Sequence, residues 1–151
     1  MLDSLLCFLY HISPALVTVL LGTYMINKYL MSRSNEASFI DLLLKELDTI
    51  RSDSLEYWNN SCEDAQGAQK DALLSQKIKG GIKSASSDLH YYCERYCDEQ
   101  KTTMNNLMVE VSDACTGGLF ESSRKKIDPG RYFLITNAIN HVRSNLFRRK
   151  L

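Results

Sequence analysis

Two hydrophobic patterns divide the chain. Over residues 5–30 the only formal charge is Lys28, and residues 12–26 carry none, so apolar side chains fall on every side of a helix rather than along one stripe. A run of about 20 such residues at 1.5 Å each matches a hydrocarbon core of about 30 Å, which predicts one transmembrane helix within residues 1–33. A cleaved leader needs a basic start and a shorter apolar stretch, whereas the only charged residue before this run is Asp3. Ser13-Pro14 reads as an N-cap and first-turn pair, so the span is expected to begin near Pro14 after a short apolar lead-in. Thr18 and Gly22, four apart, put small residues on one face and are the candidate positions for helix packing inside the bilayer.

Beyond residue 33 the apolar positions recur at helical spacing instead. Ser34-Asn35-Glu36 supplies capping residues before Phe39, Leu43, Leu47, Ile50 and Trp58, which predicts an amphipathic helix over 35–59 that Asn59-Asn60-Ser61 breaks. Ile78, Ile82, Ala85, Leu89, Tyr92 and Tyr96, followed by Thr103, Leu107, Val111 and Ala114, alternate steps of about three and four. That is the seam of a coiled-coil-like helix across 65–115. Gly80-Gly81 and the polar run Asp98-Glu99-Gln100-Lys101 are the two places where it could turn into an antiparallel pair. Thr116-Gly117-Gly118 stops the pattern, because glycine adopts the left-handed conformation past a helix end without a steric penalty. Asp128-Pro129 restarts it, and Tyr132, Ile135, Ile139, Val142 and Leu146 stripe a last helix over 129–149.

Composition agrees with an all-α class: seven Gly and two Pro in 151 residues leave few turns to punctuate strands. The expected architecture is one N-terminal transmembrane helix, residues 1–33, followed by a helical bundle with a coiled-coil-like long helix, residues 34–151. Lys28 and Arg33 follow the apolar run and no Lys or Arg stands before it. Basic flanks stay in the cytoplasm, so the expected topology is single-pass in the cell membrane, N-terminus outside and C-terminal domain cytoplasmic.

The formal charge of zero hides an uneven layout. Residues 36–64 carry eight acids against Lys45 and Arg51, a balance of −6, while residues 124–151 carry eight bases against Asp128, a balance of +7. Arg143, Arg148, Arg149 and Lys150 therefore have two candidate uses, contact with the acidic 36–64 helix or with anionic lipid. A neutral chain tethered to a membrane has little long-range attraction to DNA, so no nucleic-acid partner is expected.

Candidate chemistry is sparse. His90, Cys93 and Cys97 fall at i, i+3 and i+7 on one helix side and are zinc-ligand types, so they form the one candidate metal or redox face. A structural zinc needs a fourth ligand, and buried cysteines beside Tyr92 and Tyr96 suit a packed core equally. The sequence holds no glycine-rich phosphate loop, HExxH or GxSxG, and Gly80-Gly81-Ile82-Lys83-Ser84 lacks the upstream glycine of a phosphate loop. The expectation is a non-enzymatic membrane protein without cofactor or small-molecule substrate. Its helical domain is expected to self-associate or dock a protein partner, as an adaptor or a membrane-acting effector of the accessory or defence kind would. The residues expected to carry that association are Ile82, Leu89, Tyr92, Tyr96, Leu107 and Val111. A small membrane-bound metal or redox protein built on His90, Cys93 and Cys97 is the alternative.

Overall fold

The computed structural model describes the backbone of residues 2–60, 65–122 and 125–150, and side chains within those stretches from Thr18 to Arg149. Every regular element among them is helical: α1 (Leu2–Asn59), α2 (Ala65–Tyr96), a 3-10 turn (Asp98–Gln100), α3 (Lys101–Thr116) and α4 (Gly130–Lys150). The chain divides into two compact units, Met1–Ser38 and Phe39–Leu151.

The helix expected to start at Ser34-Asn35 has no start there, because α1 runs through both residues. Capping residues end a helix only if the neighbouring backbone leaves the helical region. Here the Ser38 hydroxyl donates back to the Ser34 carbonyl at 2.9 Å, and good helix formers stand on both sides. The helix also passes through Pro14. Among the described residues no helix is long and apolar enough to cross a membrane, so the expected transmembrane helix gains no support from the structure. The side chains of residues 1–17, which hold the first half of the apolar run, lie outside those described.

In the unit Phe39–Leu151, α1 buries its predicted Leu43, Leu47, Ile50 and Trp58 in the core together with Ile40 and Tyr57, and packs its predicted Phe39, partly buried, against that core. Its partners fix the topology. Phe39 lies against Tyr91 and Tyr92, Ser84 donates to Glu46, and Gly81 meets Ile50, so the two helices run antiparallel. Arg143 pairs with Asp48, His141 with Glu110, and Lys101 with Glu94, which makes each neighbouring pair in this up-down bundle antiparallel as well. Gly81 is needed for the α1–α2 approach, since a Cβ there would stand 3.0 Å from Ile50 Cγ1, whereas one at Gly80 would meet nothing within 4 Å.

The long coiled-coil-like helix is two helices. The turn falls at Cys97–Gln100, the second of the two places allowed by the sequence, while Gly80-Gly81 lies inside α2. Within α2 the expected positions Ile78, Ala85, Leu89 and Tyr92 are buried as predicted. In α3 the first half of the stripe moves by one residue, Met104 and Met108 facing the core while Thr103 is exposed and Leu107 only partly buried, whereas the expected Val111 and Ala114 are buried, with Cys115 beside them. Unbranched methionine fills irregular gaps, which lets the Met104/Met108 stripe replace the one through Thr103 and Leu107. α4 follows its expected stripe from Ile135 onward, with Ile135, Ile139, Val142 and Leu146 fully buried, whereas Tyr132, also expected on it, is 58% exposed in the first turn. Its N-terminus is capped by Asp128 Oδ1, which accepts from the Gly130 amide at 3.0 Å.

Candidate functional site

The densest polar arrangement lies where α1 and α3 end. A helix leaves its last carbonyls without internal partners, and a cation there also meets the negative end of the helix dipole. At the end of α1, Lys125 Nζ donates to the Tyr57 carbonyl at 2.7 Å and the Asp128 amide donates to the Trp58 carbonyl at 3.3 Å. At the end of α3, Trp58 Nε1 donates to the Cys115 carbonyl at 2.8 Å, and Arg131 reaches the carbonyls of Asp113 and Ala114. The Arg131 guanidinium stands 4.9 Å from the Trp58 ring. The segment between α3 and α4 is therefore strapped across the Tyr57-Trp58 pair that closes α1.

The backbone of that strap is shaped for the job. Gly118 is left-handed at φ 70°, and a Cβ on it would strike Arg131 Nη2. Glu121 is left-handed as well, at φ 57°, an uncommon conformation for a residue with a side chain. It is held there by its amide, which donates to the Tyr57 hydroxyl at 2.8 Å, and by its carboxylate, which pairs with Lys79. Phe120 packs on the Tyr57 ring at 4.7 Å.

Under the strap sits an ion pair between Lys125 and Asp71, with side chains 1% and 9% exposed. Asn60 donates a second hydrogen bond to Asp71 at 2.7 Å, and the Lys125 ammonium lies 4.1 Å from the Tyr57 ring centre. Beside it opens a cleft of about 650 Å³ lined by Tyr57, Asp71, Ser75, Lys79, Glu121 and Ser122, among others. Lys79 and Ser75 hold the Glu121 carboxyl below the usual glutamate range. Its ionisable groups thus pair with each other: Asp71 with Lys125, and Glu121 with Lys79.

Sequence reasoning did not find this place. Lys125 reads as the middle of a basic run, and Asp71 as one polar residue in a mixed helix, so neither announces burial. The one usable signal was Trp58, the single tryptophan, at the end of an amphipathic stripe and followed by Asn-Asn.

The residues singled out in the sequence are placed as follows. His90, Cys93 and Cys97 do not converge. His90 is 47% exposed and pairs with Glu94 at 3.1 Å, while both cysteines are buried in the core. Burial, and then the neighbouring Cys97, push the Cys93 thiol up to about 12. Among the described residues no group of three or more His, Cys, Asp or Glu could hold a metal ion. Leu89, Tyr92 and Val111 are buried inside one chain, and Ile82, Tyr96 and Leu107 pack against the same core, so these six face their own bundle. Of the basic tail, Arg143 pairs with Asp48 on α1, and Arg149 donates to the Tyr96 carbonyl that ends α2 at 3.1 Å. Arg148 is exposed, and the Lys150 side chain lies outside those described. Thr18 and Gly22 lie on α1 within the unit Met1–Ser38. Comparison with protein-family models, with curated proteins and with solved structures gave no match to this chain.

Proposed function

We propose that this chain is a non-enzymatic, membrane-tethered helical module that acts through protein contacts, as an adaptor or a membrane-acting effector. One observation carries the tether: every large apolar side chain from Val19 to Met31 is between 57% and 69% exposed. A helix that is apolar on all sides is stable only when lipid or protein covers it. The described part of this surface, about 14 residues, covers about 21 Å at 1.5 Å per residue, short of a bilayer core. Together with the apolar sequence of residues 5–17 it reaches that thickness.

The C-terminal end of the segment has the chemistry of a membrane interface. Arg33 donates to the Tyr29 hydroxyl at 3.2 Å and lies 5.9 Å from that ring, one turn after Lys28 and Tyr29. An amphipathic ring with a cation at the headgroup level suits the cytoplasmic side and supports the reading that residues 34 onward lie on that side. A role through contacts rather than catalysis is supported by the cleft at Tyr57, whose carboxylates are neutralised by neighbouring lysines.

Flotation of the full chain with phosphatidylcholine vesicles through a density gradient tests the reading. The wild type should float and resist extraction at alkaline pH, and a Leu20→Asp/Leu21→Asp/Ile26→Asp variant should stay at the bottom with its helix content unchanged. A wild-type chain that remains with the dense fractions overturns the tether.

A further inference from the structure

We infer that the leading half of α1 is a parallel self-association seam formed by Leu20, Thr23, Asn27, Leu30 and Ser34, and that its occupant is the same face of a second copy of this chain. These five residues are spaced 3-4-3-4, the repeat that keeps one side of a helix against a partner over several turns. All five are exposed. The seam differs from the pair Thr18 and Gly22 and from the stripe in α2 and α3, which the bundle uses for its own core.

Three features argue for a second copy over an unlike partner. The Asn27 side chain makes no hydrogen bond among the described residues, and its carboxamide is both donor and acceptor, so it is self-complementary when two copies meet in register. A single asparagine flanked by Thr23 and Leu30 in such a seam fixes register and orientation, because a slip takes each amide out of reach of the other. No seam residue carries a charge, so identical faces do not repel. Lys28, the one cation of the apolar run, lies about 120° round the helix at 100° per residue. Thr23 already spends its hydroxyl proton on the Val19 carbonyl at 2.8 Å, so it presents mainly its methyl group and leaves Asn27 as the polar contact.

The inference rests on the tether reading only for its medium, since the same seam would pair as a membrane helix or as a coiled coil in water. The test uses the full chain with a donor or acceptor dye at its C-terminus, reconstituted in phosphatidylcholine vesicles over a range of protein-to-lipid ratios. Energy transfer should rise with protein density. Asn27→Ala and Leu20→Ala/Leu30→Ala should each weaken association by about tenfold. Met25→Ala, about 180° from the seam, should change it by less than about twofold. Equal transfer in wild type and Asn27→Ala, or an equal loss from Met25→Ala, overturns the seam. A chain that floats but shows no transfer overturns the seam alone. A chain that fails to float yet shows the same ranking of variants in buffer overturns the tether and upholds the seam.

Discussion

Replacing Lys125 by Met isolates the ion pair under the strap. Methionine keeps an unbranched stem of similar length against the Tyr57 ring, so most of the packing survives and the charge is lost. Asp71, 9% exposed, then loses its charged partner while the Asn60 side-chain amide still donates to it, and the Tyr57 carbonyl loses its 2.7 Å donor while the Asn60 backbone amide remains at 3.3 Å. Removing one member of a buried pair costs about 3–5 kcal/mol, and the surviving Asn60 bond puts this case near about 3 kcal/mol. For a unit of this size that is a fall in Tm of about 12 °C. Lys125→Met/Asp71→Leu removes both charges and should recover most of the loss, so the double-mutant cycle should give a coupling of at least about 2 kcal/mol. Urea unfolding followed by Trp58 fluorescence is a direct assay, since Trp58 is the single tryptophan and its ring lies 5.3 Å from Tyr57. A coupling below about 0.5 kcal/mol would mean that the two groups are solvated independently, and the account of the strap would fall.

Adjacent glycines in α2 should respond with opposite signs. Gly80→Ala enters open space in a helix interior and should stabilise by about 0.5–1 kcal/mol, whereas Gly81→Ala presses on Ile50 and should destabilise by about 1–3 kcal/mol; calorimetry that found both stabilising would refute the close α1–α2 approach. Glu46 should give the bundle a pH dependence. Burial first, and then Asp88, raise its carboxyl above the usual glutamate range, so the folded chain binds this proton more tightly than the unfolded chain. The stability it contributes is full below the unfolded pKa and is lost as pH rises through the folded one. Glu46→Gln should therefore raise Tm at pH 7 and lose that advantage at pH 3, and an advantage that is the same at both values would refute the assignment.

Much of the helical framework was legible because its signals are local. Asp128-Pro129 places the start of α4 through the side chain that caps it, and Asn59-Asn60 ends α1 where neither residue favours a helix. The turn between α2 and α3 was ambiguous because Asp98-Glu99-Gln100-Lys101 contains no glycine or proline; only the packing of Met104 and Met108 makes the antiparallel pair preferable. The first half of the α3 stripe was misread for a related reason, while Val111 and Ala114 are buried as expected. Thr103/Leu107 and Met104/Met108 offer two stripes one residue apart, and helical spacing does not rank them. The strap was least legible of all, since burial of Lys125 depends on Asp71, 54 positions away, and on the Tyr57 carbonyl near the end of α1.

The shifted seam also changes which surfaces remain for association. A stripe from Ile78 to Ala114 on one long helix would have needed a second chain to cover it, and that need motivated self-association through the domain. Once the chain folds back at Cys97, α2 and α3 cover each other's stripes, and Leu89, Tyr92 and Val111 are satisfied within one molecule. The same argument applied to residues 19–31 ends differently, because every large apolar side chain there stays open to its surroundings. Apolar area removed from water stabilises by about 25 cal/mol per Å², so the largest remaining driving force for association, with lipid or with a second copy, belongs to α1's leading half. Substitutions that change partner binding through the Phe39–Leu151 unit should therefore lie among its exposed positions, whereas changes at Leu89 or Val111 act first on folding.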